Sequence, residues 1–291
     1  MKKYKIVVLA KQVPDTHKVG KDTMKEDGTI KRAALPAIFN PEDLNALELA
    51  LQVKDQYPDS EVNILTMGPP RAAEIIREAI YRGADKGYLI TDRRFAGSDT
   101  LATSYAISKA VKKIGNFDMI FAGRQAIDGD TAQVGPQAAE KLGIPQITYA
   151  EELNSVENNT IKIKRRLENG VELVSSPMPV MITVHGSAPD CRPRNAGQLL
   201  KYKHAKVKSE LENTPDEYKK LVQDRPYLQI TEWTVDDVDA DIKWLGLSGS
   251  PTKVKTIENI VLQAKEAKEI QANDEELEAF VQELIENHTI G

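Results

Sequence analysis

The segment 121–136, FAGRQAIDGDTAQVGP, has the residue types of a phosphate-binding loop. Its three glycines would let the backbone approach a ligand closely. It follows an apolar run and precedes a predicted helix, whose first N–H groups, near 131–134, attract a pyrophosphate. Its cation and its hydrogen-bonding side chains are Arg124, Gln125, Thr131 and Gln133. The same composition is equally typical of a long polar surface loop.

Three other segments end predicted strands or open a predicted helix: LAKQ at 9–12, FNPE at 39–42 and TMGPP at 66–70. The carboxyl ends of strands in a doubly wound sheet line one crevice. Taken singly, these segments are more typical of helix capping and turns, but their convergence predicts an adenine-nucleotide pocket. The predicted ligand-binding residues are Leu9, Ala10, Lys11, Phe39, Asn40, Asp43, Met67, Gly68, Pro69, Ala122, Gly123, Arg124, Gln125, Asp128, Gly129, Asp130, Thr131, Ala132, Gln133, Val134 and Gly135.

Other kinds of site lack their sequence patterns. The phosphate loops GxxxxGK[ST] and GxGxxG do not occur. The four histidines have no metal-ligand spacing, and a single cysteine, Cys191, excludes an intrachain disulfide and a CxxC metal site. No Ser/His/Asp arrangement is suggested. We therefore expect no metal site and no acid–base catalyst in this chain.

Strands and helices alternate in the first half of the chain. The run KIVVLAKQV at 5–13 is typical of a strand buried on both faces. Asn40 and Pro41 open a helix, and Gly143 ends another. The remaining predicted elements here are strands at 62–67, 88–91 and 119–122 and helices at 72–81 and 100–114. This order predicts an α/β fold with a doubly wound, mostly parallel, Rossmann-like sheet.

The pattern of predicted elements changes in the second half of the chain. Short alternating runs predict a small antiparallel meander at 147–153, 160–166 and 171–174. VMITV at 180–184 predicts a strand that returns to the main sheet, and 210–223 a helical insert. An apolar stripe from Leu277 to Ile285 predicts a C-terminal amphipathic helix. We expect three segments: a nucleotide- or flavin-binding domain at 1–190, a docking loop, insertion and linker at 191–253, and a helical arm at 254–291.

The composition of the 291 residues excludes several functional classes. A net charge of -5 and 5% aromatic residues argue against nucleic-acid binding. No apolar run reaches 18 residues, and the N-terminal apolar run is too short for a signal peptide, so we expect no membrane insertion. The single thiol suits a cytoplasmic location.

Six motifs resemble the beta subunit of electron-transfer flavoprotein. They are AKQVPDT at 10–16, NPEDLNALELAL at 40–51, TMGPP at 66–70, RGADKGYLIT at 82–91, AGRQAIDGDTAQVGP at 122–136 and GLSGSPTKV at 246–254. In that family the beta subunit pairs with an alpha subunit that carries its own FAD. The resemblance implies a bound adenine nucleotide, either AMP in simple carriers or a second FAD in electron-bifurcating forms.

DGDTAQVGP at 128–136 resembles the bifurcating form, in which small residues leave room for FAD. The resemblance then implies NADH as the hydride donor. One electron would pass to ferredoxin or flavodoxin and the other, through the alpha subunit, to a flavin-dependent dehydrogenase. Arg124 is the residue we expect to tune the flavin potential, because a fixed cation favours an anionic reduced flavin. A non-bifurcating, AMP-binding carrier for an acyl-CoA dehydrogenase is the alternative.

The basic stretch 192–208 occupies the place where that family carries its dehydrogenase-docking loop with a leucine anchor. Leu199 or Leu200 could be that anchor, although the stretch is also typical of a solvated basic surface. The resemblance favours a tail that wraps on the alpha subunit. A non-redox nucleotide sensor and a nucleotidyl transferase stay open as rivals, although the transferase lacks its HxGH or SGGxDS loop.

Overall fold

The computed structural model describes residues 3–15, 36–253, 269–287 and 289–290. The chain divides into two compact units, 1–255 and 256–291. Thr16, the tail from 254 to 268 and His288 lie outside the described residues. The three functional segments expected from the sequence stay a prediction, and the structure assigns 191–253 to the same compact unit as the sheet.

Nine strands of the first unit form one sheet in the order β11-β5-β4-β1-β6-β10-β7-β8-β9. Neighbouring strands are parallel from β11 to β7, and β7-β8-β9 are antiparallel. The predicted α/β fold with a mostly parallel sheet and a small meander is confirmed. The strands are β1 Lys5–Leu9, β2 Gln12–Pro14, β3 Ala37–Phe39, β4 Glu61–Met67, β5 Lys86–Ile90, β6 Met119–Gly123, β7 Gln146–Glu157, β8 Thr160–Leu167, β9 Gly170–Pro177, β10 Val180–Val184 and β11 Thr231–Trp233.

Helices cover both faces of this sheet. Ile6 and Val8 of β1 pack in one buried cluster with apolar residues of α1 and α2, while Val7 and Leu9 pack in a second with those of α3 and α4. A strand buried on both faces needs a continuous apolar run, and the sequence of β1 has such a run. The helices are α1 Pro41–Gln56, α2 Ala73–Arg82, α3 Thr100–Ile114, α4 Val134–Leu142, α5 Ala196–Tyr202, α6 Lys208–Glu212, α7 Asp216–Asp224, α8 Gly246–Gly249 and α9 Asp274–Glu286.

The predicted single strand at 5–13 is wrong in its second half. The strand stops at Leu9, and residues 12–14 pair antiparallel with β3 instead of continuing in the main sheet. Between the two strands, the Lys11 N–H donates to a carboxylate oxygen of Asp43 at 2.8 Å. A side chain from α1 therefore ends the strand.

Residues 191–253 contain more regular structure than the sequence pattern predicts. The insert at 210–223 forms two short helices, α6 and α7. The GLSGSPT segment forms the helical turn α8, and its Ser250 Oγ accepts the Asp99 N–H at 2.8 Å. This segment is therefore packed beside the start of α3 and is not a free linker.

The second unit contains α9. Its N-cap Asn273 accepts the N–H of Glu276 at 2.9 Å, which satisfies a helix-start donor. The apolar stripe expected from the sequence lies on this helix, and Leu277, Val281 and Ile285 are exposed. None of the helices in the described ranges has the length and apolar content needed to span a bilayer.

Candidate functional site

The carboxyl ends of four neighbouring parallel strands meet at one edge of the sheet. These strands are β4, β1, β6 and β10, in that order. The register places Leu9 beside both Leu65 and Ala122. The predicted ligand-binding segments at 9–11, 67–69 and 122–125 therefore lie together, and the convergence expected from the sequence is observed.

The start of α1 holds the loop that follows β6. Asn40 is fully buried. Contrary to the prediction, its side chain makes no capping hydrogen bond to the helix. Its Nδ2 donates to the Gln125 carbonyl at 2.9 Å, and its Oδ1 accepts the Ile127 N–H at 3.2 Å. Glu42 Oε2 accepts the Gln125 N–H at 2.9 Å. These side chains bind protein backbone, so their role here is to position the loop.

Asp43 joins two strand ends. Its carboxylate accepts the N–H of Lys11 at 2.8 Å and the N–H of Gly123 at 2.9 Å. The side chain is buried. Burial raises the pKa of Asp43 to about 7, although the bonds from Lys11, Asn40 and Gly123 lower it in part. Asp43 therefore holds the loops that follow β1 and β6 together.

Arg124 is paired inside the protein. Its guanidinium lies 3.0 Å from Glu42 Oε1, and its Cζ lies 5.8 Å from the centre of the Tyr149 ring. The ring of His185 lies 6.2 Å from that of Tyr149. The Glu42 carboxylate compensates part of the Arg124 charge and fixes its direction. The expected tuning role of Arg124 stays a prediction.

Side-chain contacts order the rest of the loop. They join Lys11 to Asp128 at 2.7 Å, Gln125 to Asp130 at 3.0 Å and Gln133 to Thr100 at 2.9 Å. Asp130 and Ala132 have left-handed backbone, with φ of 48° and 52°. Residues 129–131 are exposed. The loop is a specifically folded segment with an open tip, in contrast to the irregular surface loop that composition alone would allow.

The loop glycines have different reasons for being glycine. A Cβ on Gly123 would lie 2.4 Å from Asp43 Oδ1, and one on Gly135 would lie 2.6 Å from Thr183 Cγ2. Both positions are therefore filled by neighbouring protein atoms. A Cβ on Gly129 would meet nothing within 4 Å. The expectation that small residues leave room for a ligand is consistent with the geometry at Gly129, whereas close packing accounts for Gly135.

The first turn of α4 has donors that fit a pyrophosphate. Pro136 has no N–H, and the Gln137 N–H donates to the Gln133 carbonyl at 3.0 Å. Val134 and Gly135 are the first two residues of α4, so their N–H groups have no acceptor within the helix. Together with the helix dipole they suit an anion at this position.

The chain is similar to known proteins over most of its length. The electron transfer flavoprotein domain matches residues 27–209. The chain is 45% identical over 250 residues to the electron transfer flavoprotein subunit beta of Clostridium acetobutylicum, covering 86% of each chain. It is 39% identical over 293 residues to the subunit of that name from Megasphaera elsdenii, covering 96% of this chain and 99% of the relative.

The chain belongs to the electron transfer flavoprotein beta-subunit family. A further relative is subunit CarD of the caffeyl-CoA reductase-Etf complex of Acetobacterium woodii, 40% identical over 250 residues and 86% of each chain. The family resemblance seen in the sequence motifs is thereby confirmed.

The predicted docking leucines of this electron transfer flavoprotein subunit lie on α5. Leu200 has 65% of its surface exposed and Leu199 36%. The basic residues before them have acidic partners: Arg192 lies 2.9 Å from Glu48, and Arg194 lies 3.2 Å from Glu78. On this surface the two leucines are therefore exposed, whereas the two arginines are held in ion pairs.

Sequence reasoning placed Glu42 in the segment 39–42 without naming it as a site residue, and it missed Tyr149, Thr183 and His185. Tyr149 lies beside Arg124, Thr183 beside Gly135, and His185 beside Tyr149. His185 directly follows β10, so the predicted return of that strand to the sheet was a signal that could have located it. Tyr149 gave no such signal, because it lies inside a strand. Within the described part of the chain, no group of three or more His, Cys, Asp or Glu residues could hold a metal ion.

Proposed function

We propose that this chain binds FAD at the carboxyl edge of its sheet and works in a complex with an alpha subunit that carries a second FAD. The observation that supports this most directly is the convergence of 9–11, 67–69, 122–125 and the start of α4 at one edge. That edge offers backbone N–H donors for a pyrophosphate and an open loop tip at Gly129.

The chain's own residues would bind and orient the cofactor. Val134 and Gly135 would bind the pyrophosphate through their N–H groups, while Asn40, Glu42 and Asp43 hold the loop in position. A bound flavin supplies the redox chemistry, because it accepts two electrons together and releases them singly. The protein's part is therefore to hold the cofactor in one orientation and to exclude other orientations.

We further propose NADH as the electron donor, ferredoxin or flavodoxin as the low-potential acceptor, and a flavin-dependent dehydrogenase as the second acceptor. Two relatives support an acceptor that acts on CoA esters. One is CarD of the caffeyl-CoA reductase-Etf complex. The other is the acryloyl-CoA reductase electron transfer subunit gamma of Anaerotignum propionicum, 52% identical over 181 residues and 62% of this chain.

A second candidate function is an electron carrier that binds AMP and does not bifurcate. The packing of Gly123 and Gly135 against Asp43 and Thr183 favours it, because those glycines are explained without a larger ligand. The two candidates differ in the nucleotide that occupies the crevice.

The decisive experiment is to purify the chain with its alpha subunit and count the cofactors released on denaturation. We expect two FAD per complex and no AMP. A complex with one FAD and one AMP would contradict the bifurcating function and support the carrier function. A colourless chain that purifies alone with ATP would contradict both and support a nucleotide sensor.

A further inference from the structure

The segment 203–230 folds back on the end of α5. It forms α6 and α7 and then returns, so that the Lys206 N–H donates to the Leu228 carbonyl and the Ile230 N–H donates to the Lys206 carbonyl, each at 2.9 Å. Leu228 and Ile230 are buried in the same apolar cluster as residues of α1 and α2. The segment is therefore anchored in the core at the point where it comes back to α5.

Tyr227 lies at this return and contacts α5 through its ring. Its ring centre is 5.5 Å from that of Tyr202, the last residue of α5, and the two ring planes meet at 81°. Perpendicular rings at this separation attract each other. Tyr202 packs against the apolar cluster, whereas Tyr227 is exposed. The two rings therefore form an aromatic corner at the surface, beside α5.

Lys201 lies against both rings of this corner. Its Nζ is 5.0 Å from the centre of the Tyr202 ring and 5.2 Å from that of the Tyr227 ring. Aromatic faces attract cations, so the two tyrosines hold a side chain that is otherwise flexible. Lys201 is exposed and forms no ion pair with a carboxylate in the described part of the chain. It therefore offers a positive charge that is fixed in place and uncompensated, directly after Leu200.

The neighbouring cations lack one or the other of these properties. Arg192 and Arg194 are fixed, but Glu48 and Glu78 compensate their charges. Lys203 is exposed and contacts neither a ring nor a carboxylate among the described residues, so its charge is not held in one place. The group that complements a fixed, uncompensated ammonium is a carboxylate.

We propose that Lys201, held by Tyr202 and Tyr227, pairs with a carboxylate on the surface of the partner dehydrogenase, beside the place where Leu200 docks. This inference rests on the proposed use of α5 as the docking element. Tyr227 is then a positioning residue that acts through Lys201, and the segment that carries it contributes to the choice of partner. A dehydrogenase without an acidic group at this place would bind less tightly.

The test uses the complex with the alpha subunit and measures the KM for a purified flavin-dependent acyl-CoA dehydrogenase. The variants are Lys201→Met, which removes the charge, and Tyr227→Leu, which removes the ring. Their matched controls are Lys203→Met and Tyr227→Phe. Each KM is measured at about 20 mM and about 200 mM salt, because salt screens charge pairs at the surface.

We expect Lys201→Met to raise the KM about fivefold at low salt, as loss of one surface ion pair implies. Tyr227→Leu should raise it about threefold, because the charge is kept but is no longer held. Both differences from wild type should shrink at high salt. The KM of Lys203→Met and of Tyr227→Phe should stay within about 1.5-fold of wild type.

A double variant separates positioning from direct contact. If Tyr227 acts through Lys201, then adding Tyr227→Leu to Lys201→Met should raise the KM no further. Independent effects of the two changes would contradict the positioning role of Tyr227. The flavin content of every complex is measured as a check that the protein is folded.

The possible failures have different meanings. An unchanged KM in Leu200→Asp would overturn docking on α5, and the pairing of Lys201 with it. A raised KM in Leu200→Asp, with Lys201→Met no different from Lys203→Met, would overturn the pairing alone. A rise in Lys201→Met that is equally large at both salt concentrations would also overturn it, because that result indicates a packing role in place of an ion pair.

Discussion

Asp43 lies at the start of α1, and its carboxylate accepts the N–H of Lys11, two residues after the end of β1, and that of Gly123, the last residue of β6. Its burial has a cost that depends on pH. Because the pKa rises from 3.8 to about 7, the folded protein keeps a proton that the unfolded chain has already released. The unfolded state therefore binds fewer protons between these two values.

We expect Asp43→Asn to remove one component of the pH dependence of stability. In the wild type, the contribution of Asp43 is fully present below about pH 4 and is lost as the pH rises to about 7, by up to about 1.4 kcal/mol per pH unit. An amide does not titrate, so the variant should show a flatter profile. Urea unfolding across this pH range measures the free energy of unfolding.

Asp216→Asn is the control for this prediction. Asp216 is exposed and lies 3.0 Å from Lys219 at the surface. Its replacement should leave the wild-type profile in place. Parallel profiles for wild type and Asp43→Asn would contradict the buried titration of Asp43.

At the scale of elements, α1 and α5 illustrate two uses of a helix. The start of α1 holds the loop after β6 through side chains that reach across 82 to 87 positions of the chain. Helix α5, in contrast, presents Leu200 to the outside. One helix shapes the crevice, and we expect the other to offer a surface for a partner.

We expect Leu200→Asp to weaken transfer of electrons to the partner dehydrogenase. An anchor residue in an interface accounts for about tenfold or more in affinity, so the KM for the dehydrogenase should rise by about that factor. The flavin content of the complex should stay unchanged, because α5 does not contribute to the crevice residues described above. The measurement is the rate of dehydrogenase reduction as a function of its concentration.

Leu173→Asp is the matched control. Leu173 lies on β9 and is similarly exposed, at 62% against 65% for Leu200. Its replacement should leave the KM unchanged. A KM that rises equally in both variants, or in neither, would argue against α5 as the docking element.

At the scale of the whole molecule, we predict that the two compact units have different roles. All members of the two buried apolar clusters lie between Tyr4 and Leu245, within the first unit. The described helix of the second unit has an exposed apolar stripe. We therefore associate nucleotide binding with the first unit and pairing with the alpha subunit with the second.

A chain that ends after Lys255 should fold and bind its nucleotide as the full chain does, but it should no longer co-purify with the alpha subunit. The reason is that the buried clusters stay complete while the apolar stripe is lost. Size-exclusion chromatography of the co-expressed subunits measures pairing, and nucleotide titration measures binding in the crevice.

A full chain with Leu277→Asp and Val281→Asp is the control for the stripe and should lose pairing in the same way. Normal pairing by the shortened chain would contradict this division.

The sequence by itself determined most elements of the central sheet and its helices, and their order. Apolar periodicity reports local burial, so β4, α3 and β10 lie within a residue or so of their predicted positions. The motif at 122–136 likewise indicated the family, which the comparisons confirmed. Apolar periodicity and sequence motifs are properties of short stretches of the chain. They can therefore be recognised without knowing which distant residues pack against that stretch.

Only the tertiary structure decided which of the predicted site residues hold the protein together. Asn40 and Asp43 lie at the predicted crevice, yet their side chains bind backbone that is distant in sequence, and Gly123 packs against Asp43. Tyr149 acquires its place from a bulge in one strand and from Thr183 in its neighbour. Such pairings depend on strand order and register, which arise only when the whole sheet is assembled, and local pattern does not encode them.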